Sequence, residues 1–130
     1  MRAMKIWKFT RNCVNYILEV HELTLTFPKF ELYELGSQLR RSSNSAPANV
    51  AEGWTNKHVN IYREGINRAL GEIQETKHHF KMALRKGYVE QTKYDDLISR
   101  YGECGRMLKS FENSLNRWKL KQNYRKKPNT

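Results

Sequence analysis

Cysteine is scarce in this chain. Only Cys13 and Cys104 occur, too few and too isolated for a disulfide framework or a zinc site. Proline is confined to positions 28, 47 and 128, so long stretches carry no strong helix breaker. No apolar run approaches the roughly 20 residues that a membrane span requires. The basic start Met1-Arg2-Ala3-Met4-Lys5 is followed by no secretory apolar core or cleavage site. Acidic residues are in short supply, 13 against 24 Lys and Arg, for a formal charge of +11. These absences argue against a disulfide-stapled secreted scaffold and a helical membrane protein, and favour a cytoplasmic chain. At 130 residues with 38% hydrophobic content, the length suits one domain better than two.

What is present is a helical rhythm. Apolar residues recur at three-and-four spacing in four segments. The first runs Ile6, Phe9, Cys13, Tyr16, Val20, Leu23, Phe27 and stops at Pro28. The second begins Leu32, Leu35, Leu39 and continues through Ser42, Ala46 and Val50 to Gly53. The third runs from Val59 through Ile66, Ile73 and Phe80 to Gly87, and the fourth from Tyr94 through Leu97 and Leu108 to Trp118. No segment alternates with period two, so the chain is expected to be all-α. Short connections around Pro28, Thr55-Asn56 and Gly87 make consecutive helices antiparallel neighbours. The expectation is one up-down-up-down four-helix bundle over residues 1–120, with 121–130 as a basic, flexible C-terminal tail.

The second segment is unusual. Between Gln38 and Gly53 it carries small and polar residues where a core normally wants Leu, and it contains Pro47, whose interior position costs a helix about 3 kcal/mol. Small residues permit close approach of a neighbouring backbone, and Ser or Asn side chains can bond carbonyls that proline frees. Gly36, Gly53, Gly65, Gly71, Gly102 and Gly105, inside or at the edge of helical segments, carry the same implication of close packing.

Charge placement sharpens the total. Before Glu19 the chain has Arg2, Lys5, Lys8 and Arg11 and no acid; after Glu112 it has Arg117, Lys119, Lys121, Arg125, Lys126 and Lys127, again with no acid. An up-down-up-down bundle brings both ends to one pole, together with Lys57 and His58. A pole of that kind attracts polyanions, chiefly nucleic acid. Trp7, Trp54, Trp118 and Tyr124 are interleaved with these cations. Tyr124 in the tail is the better candidate for stacking on unpaired bases, since Trp118 falls at a core position.

Catalytic chemistry finds little to work with. His78 and His79 are adjacent and point about 100° apart on a helix, so they do not chelate one metal as an i, i+4 pair does. Cys13 and Cys104 lie in apolar stripes, where a thiol packs as a small hydrophobe. There is no Gly-rich phosphate loop, nucleophile elbow or paired-carboxylate spacing. The expectation is a protein that is not an enzyme and needs no metal or cofactor. Glu52 and Asn49 lie three apart on one helix face, which favours a structural role in which Asn49 and a nearby Arg donate to a buried carboxylate. Arg40 and Arg41, at the edge of the helix stripe, suit phosphate contact or salt bridging to Glu31, Glu34 or a neighbouring subunit.

The run Gln38-Leu39-Arg40-Arg41, then Ser45, Pro47 and Asn49-Val50-Ala51-Glu52-Gly53, resembles the central signature of the 23S rRNA intervening-sequence proteins, a four-helix-bundle family that includes Avd-type accessory variability proteins of diversity-generating retroelements. Leu25-Thr26-Phe27-Pro28 is similar to the family's first turn. Tyr62-Arg63, Ala69-Leu70-Gly71 and Glu75 are similar to its third helix, and Gly87-Tyr88-Val89 to its last turn. The likeness spans about residues 8 to 118. Ala46 stands where a β-branched residue is common, and Glu72 where a small Ser is usual. The resemblance implies a homo-oligomeric ring, typically a pentamer, and marks Pro47, Asn49, Glu52 and Gly53 as structural signature residues. Its Avd-type branch implies RNA and DNA binding and partnership with a reverse transcriptase; the high charge leans that way. The alternative is an intervening-sequence-type four-helix protein acting as an oligomeric interaction scaffold, whose basic surface would meet an acidic protein partner. Membrane-surface binding is disfavoured, because no helix pairs a basic face with an exposed apolar one.

Overall fold

The computed structural model describes residues 2–54 and 58–126, with side chains from residue 6 and up to residue 125. It contains α1 (Arg2–Thr24), a 3-10 turn (Lys29–Glu31), α2 (Leu35–Trp54), α3 (Val59–Arg85) and α4 (Gln91–Lys126). Among the described residues there is no strand. The four helices form the expected all-α bundle, and the paired positions show their directions. Ser42 meets Thr76 while Asn49 meets Gly65, so α2 and α3 are antiparallel. Cys13 faces Cys104 and Glu19 faces Arg100, so α1 and α4 are antiparallel too.

Each helix buries the stripe that its spacing foretold. Phe9 and Val20 from α1, Leu39 and Val50 from α2, Ile66, Ile73 and Phe80 from α3, and Leu97, Tyr101, Leu108 and Leu115 from α4 share one core. Phe80 meets the Tyr101 ring edge-on at 5.4 Å, an arrangement favoured by the ring quadrupoles. Sequence spacing also explains the ends. Gly87, at φ 78°, adopts a left-handed conformation that other residues disfavour, which turns the chain from α3 to α4. The Tyr88 amide then donates to the Ala83 carbonyl at 2.9 Å and the Gly87 amide to Leu84 at 3.0 Å, the Schellman closure of a helix.

α2 starts at Leu35 and not at Leu32, because Pro28 initiates a 3-10 turn that ends in a polar knot. Glu31 is fully buried there and takes a 2.8 Å ion pair from Lys86 at the end of α3. Arg40 closes the same region, donating to the Thr24 hydroxyl at 2.9 Å and to the Leu32 carbonyl at 2.5 Å. A second difference lies at the other end. Residues 121–126, assigned by sequence to a flexible tail, continue α4, since neither Gly nor Pro interrupts the chain before Pro128. At 36 residues α4 is the longest helix, about 54 Å against about 40 Å for the 27-residue α3.

The small residues of α2 serve the closest helix contact. Ser42, Ser43, Ala46, Pro47, Val50 and Gly53 are all buried on one face. Ser42 Oγ and Thr76 Oγ1 share a buried 2.8 Å hydrogen bond across the α2–α3 interface. Pro47 is tolerated inside the helix, but Asn49 does not bond the carbonyl that proline leaves unused, that of Ser43; it donates to Ser45 at 2.8 Å. A Cβ added at Gly65 would lie 2.6 Å from the Asn49 carbonyl oxygen, a backbone atom with little room to retreat. Gly71, by contrast, faces open space.

Gly65→Ala should therefore destabilise the bundle by about 1–3 kcal/mol or more, as overpacking does. Gly71→Ala should stabilise it by about 0.5–1 kcal/mol by restricting the unfolded chain. Urea denaturation measures both, and a neutral Gly65→Ala would refute the tight crossing. The acid limb offers another check. The Lys86 ammonium holds the Glu31 carboxyl below its ordinary 4.5, and the same holds for Glu19 beside Lys93 and Arg100. Because the folded values are depressed, this stabilisation is complete above the ordinary carboxylate range and is lost as pH falls through the folded values. The Tm gap between wild type and Glu31→Gln should accordingly be widest near neutrality and close as pH falls through the depressed folded value; a gap independent of pH would show that the ion pair contributes nothing.

Candidate nucleic-acid interface

Antiparallel packing gathers the start of α1, the end of α2, the start of α3 and the end of α4 at one pole. Two contacts tie this pole together. Lys119 Nζ donates to Asn60 Oδ1 at 2.7 Å, and the Trp54 and Tyr62 rings lie 5.4 Å apart. Of the cations proposed from sequence, Lys8, Arg11, Arg117, Lys119, Lys121 and Arg125 are described here, and all but the half-buried Lys119 are exposed. Among the described residues, none of the six forms an ion pair with a carboxylate. The Arg11 guanidinium lies 4.6 Å above the Trp7 ring, and Arg117 donates to Ser114 Oγ at 3.2 Å. Lys57 and Lys127, and the side chains of Arg2, Lys5 and Lys126, lie outside the described residues.

Towards the opposite end of the bundle several cations are paired. Lys86 is paired with Glu31, Lys93 with Glu19, and Arg100 with both Glu19 and Asp96. Arg40 and Arg41 belong with this group and stand apart from the basic pole. Arg40 is committed to Thr24 and Leu32, and Arg41 reaches across to Glu72 at 3.4 Å and to Glu75. Glu72, the departure from the family's small residue, thus meets Arg41 as an ion-pair partner.

The signature residues divide in the same way. Pro47 is buried, Gly53 is buried against α3, and Asn49 is half-buried. Glu52, expected to be a buried carboxylate, is exposed. The fully buried carboxylate is Glu31, which the helical pattern concealed by placing it just outside α2. Asn49, Glu52 and Gly53 line a depression of about 50 Å³ with Ile61, Glu64, Gly65 and Arg68, room for a few water molecules.

Aromatic exposure differs from expectation at one residue. Trp118, read as a core position, is 38% exposed, as is Trp54, while Trp7 reaches 63% and Tyr124 79%. All three tryptophans and Tyr124 therefore present ring surface at the basic pole. Tyr124 stands out because α4 continues past Lys119, the residue that meets the start of α3. A second groove, of about 220 Å³, runs between Asn60 and Trp118. Its amides were not singled out from sequence; the positions Trp118, Lys119, Gln122 and Asn123 share one helical face, a signal that was available.

These features sit on a known fold. The profile of the 23S rRNA-intervening sequence protein family matches residues 2–110. The chain belongs to that family. A crystal structure of a protein of unknown function from the S23 ribosomal protein family of Bacteroides thetaiotaomicron VPI-5482 is similar to this family member, with a TM-score of 0.74 and 21% identity. The match covers 84% of this chain and 98% of that one, which establishes the shared fold. No curated protein matches the chain. Among the described residues, no helix is long and apolar enough to cross a membrane, and no cluster of three or more His, Cys, Asp or Glu is arranged to hold a metal ion.

Cys13 and Cys104 are distant in sequence but adjacent in space. Their sulfurs are 3.9 Å apart, and both residues are buried as free thiols. The neighbouring Cys104 thiol and burial push the Cys13 thiol well above its ordinary value, which keeps it protonated and a poor nucleophile. In the native protein both thiols should resist Ellman's reagent and react together on unfolding; rapid labelling of either one in the folded protein would contradict this packing.

Proposed function

We propose that this protein is a non-enzymatic nucleic-acid-binding accessory factor of the Avd type, partnering a reverse transcriptase on template RNA and cDNA. The observation that carries this reading is the segregation of charge. Lys8, Arg11, Arg117, Lys121 and Arg125 project from one pole without a carboxylate partner among the described residues, while towards the other end Lys86, Lys93 and Arg100 are paired with acids. Such a surface binds phosphates through counterion release and carries little base information. A pentameric ring would repeat the pole around an axis and multiply its contacts. Self-association is supported by α1, whose exposed Trp7, Val14 and Leu18, with Leu25 just past its end, form a stripe beside the core-facing one, contrary to the expectation from sequence that no helix carries an exposed apolar face.

The same stripe favours a second reading, an oligomeric scaffold whose basic surface meets an acidic protein. Labelled structured RNA and duplex DNA, titrated at about 50 and 200 mM salt, separate the two. The accessory-factor reading expects submicromolar affinity at low salt and a steep loss as salt rises. It also expects a drop of about tenfold or more in the Lys121→Glu/Arg125→Glu variant, with a shallower salt slope. Absence of binding at low salt would remove it and leave the scaffold.

A further inference from the structure

The groove between the start of α3 and the end of α4 differs in kind from two other cavities formed by the described residues of α2, α3 and α4. Glu52 and Glu64 enter one of those, and Glu64 and Glu112 the other, so each places carboxylates where a polyanion would lie. This groove contains none. His58, the residue that caps α3, with Val59 and Asn60 lines one side, and Trp118, Lys119, Gln122 and Asn123 line the other from α4. Its volume, about 220 Å³, falls below the roughly 300–1,000 Å³ of sites that enclose a drug-sized ligand. It suits a single planar ring system.

We propose that this groove receives one unpaired nucleobase, which makes the basic pole a site for single-stranded RNA or DNA. The inference rests on the nucleic-acid reading above and specifies its substrate. Trp118 supplies indole surface, and stacking on an aromatic face is open to every base. Three carboxamides converge there. Lys119 Nζ occupies Asn60 Oδ1, which leaves the Asn60 amide nitrogen, and both ends of Gln122 and Asn123, to bond a base edge. Donors and acceptors in one place match the Watson–Crick edge of a base, which is accessible only when the base is unpaired. Lys121 and Arg125, exposed on the same terminal turns of α4, are positioned for the flanking phosphates. A site for phosphates alone would need neither the indole nor the amides.

The test separates bases from phosphates. An oligodeoxythymidine of about 12 nucleotides and an abasic oligomer of equal length carry the same charge, and both are titrated at one salt concentration beside polyglutamate. The abasic strand should bind about tenfold or more weakly. Trp118→Leu and, separately, the surface variant Gln122→Ala/Asn123→Ala should each weaken oligodeoxythymidine about fivefold or more and leave the abasic strand unchanged. The surface pair guards against a folding defect in Trp118→Leu, with circular dichroism as the check. Equal affinity for the two strands would overturn the base site and leave the phosphate-binding pole standing. A base preference that survives both variants would also overturn it, since stacking would then occur elsewhere. If neither strand binds, the functional reading fails with it, and binding of polyglutamate alone would assign the pole to an acidic protein.

Discussion

The close crossing of α2 and α3 constrains the remainder of this bundle. Helices normally stand 8–10 Å apart, separated by their side chains. Here, Gly65 leaves no space for even a Cβ beside the Asn49 carbonyl, and a Cβ added at Gly53 would lie only 3.3 Å from Tyr62 Cα. The Ser42–Thr76 hydrogen bond holds the other end of the same interface. With α2 and α3 drawn together, the larger side chains of α1 and α4, including Phe9, Tyr101, Leu108 and Phe111, fill the core on either side. Small residues and an interior proline, costly in an isolated helix, become compatible once this neighbour is in place.

That crossing also sets where charge falls. Because α3 runs back along α2, its C-terminal Lys86 reaches Glu31 at the α1–α2 connection, while its N-terminal Asn60 meets Lys119 of α4. One pole becomes a knot of buried and half-buried polar groups, closed by Arg40, Thr24 and Lys86. The other gathers exposed cations and indoles. The unpaired positive charge of the basic pole is thus kept away from the polar knot. The self-repulsion of those cations remains a local cost, and a bound polyanion would relieve it.

The extra length of α4 matters for the same reason. A tail that left the bundle at residue 120 would scatter its charges, whereas a continuous helix holds Lys121, Gln122, Asn123 and Arg125 in fixed relation to Trp118 and to the start of α3. Fixed spacing is what turns a set of cations into a surface with a shape.

Much of this was legible in the sequence. Periodicity located four helices, their antiparallel order and most of the buried stripe, because burial demands apolar residues at the helical repeat wherever the core lies. Local chemistry marked the turns at Pro28 and Gly87, and the charge pattern pointed to a basic pole. Tertiary structure alone decided which polar residues became partners. Glu31, legible in sequence only as a partner for Arg40 or Arg41, is fully buried against Lys86; Glu52 looked buried and is exposed; and of the two roles open to Arg40 and Arg41, Arg40 bonds Thr24 and Leu32 while the exposed Arg41 pairs with Glu72 and Glu75. Cys13 and Cys104 met across the core, and Trp118 left it. The physical reason is that helical periodicity encodes direction around one axis, whereas ion pairs, amide clusters and close glycine contacts depend on the offset and distance between two axes.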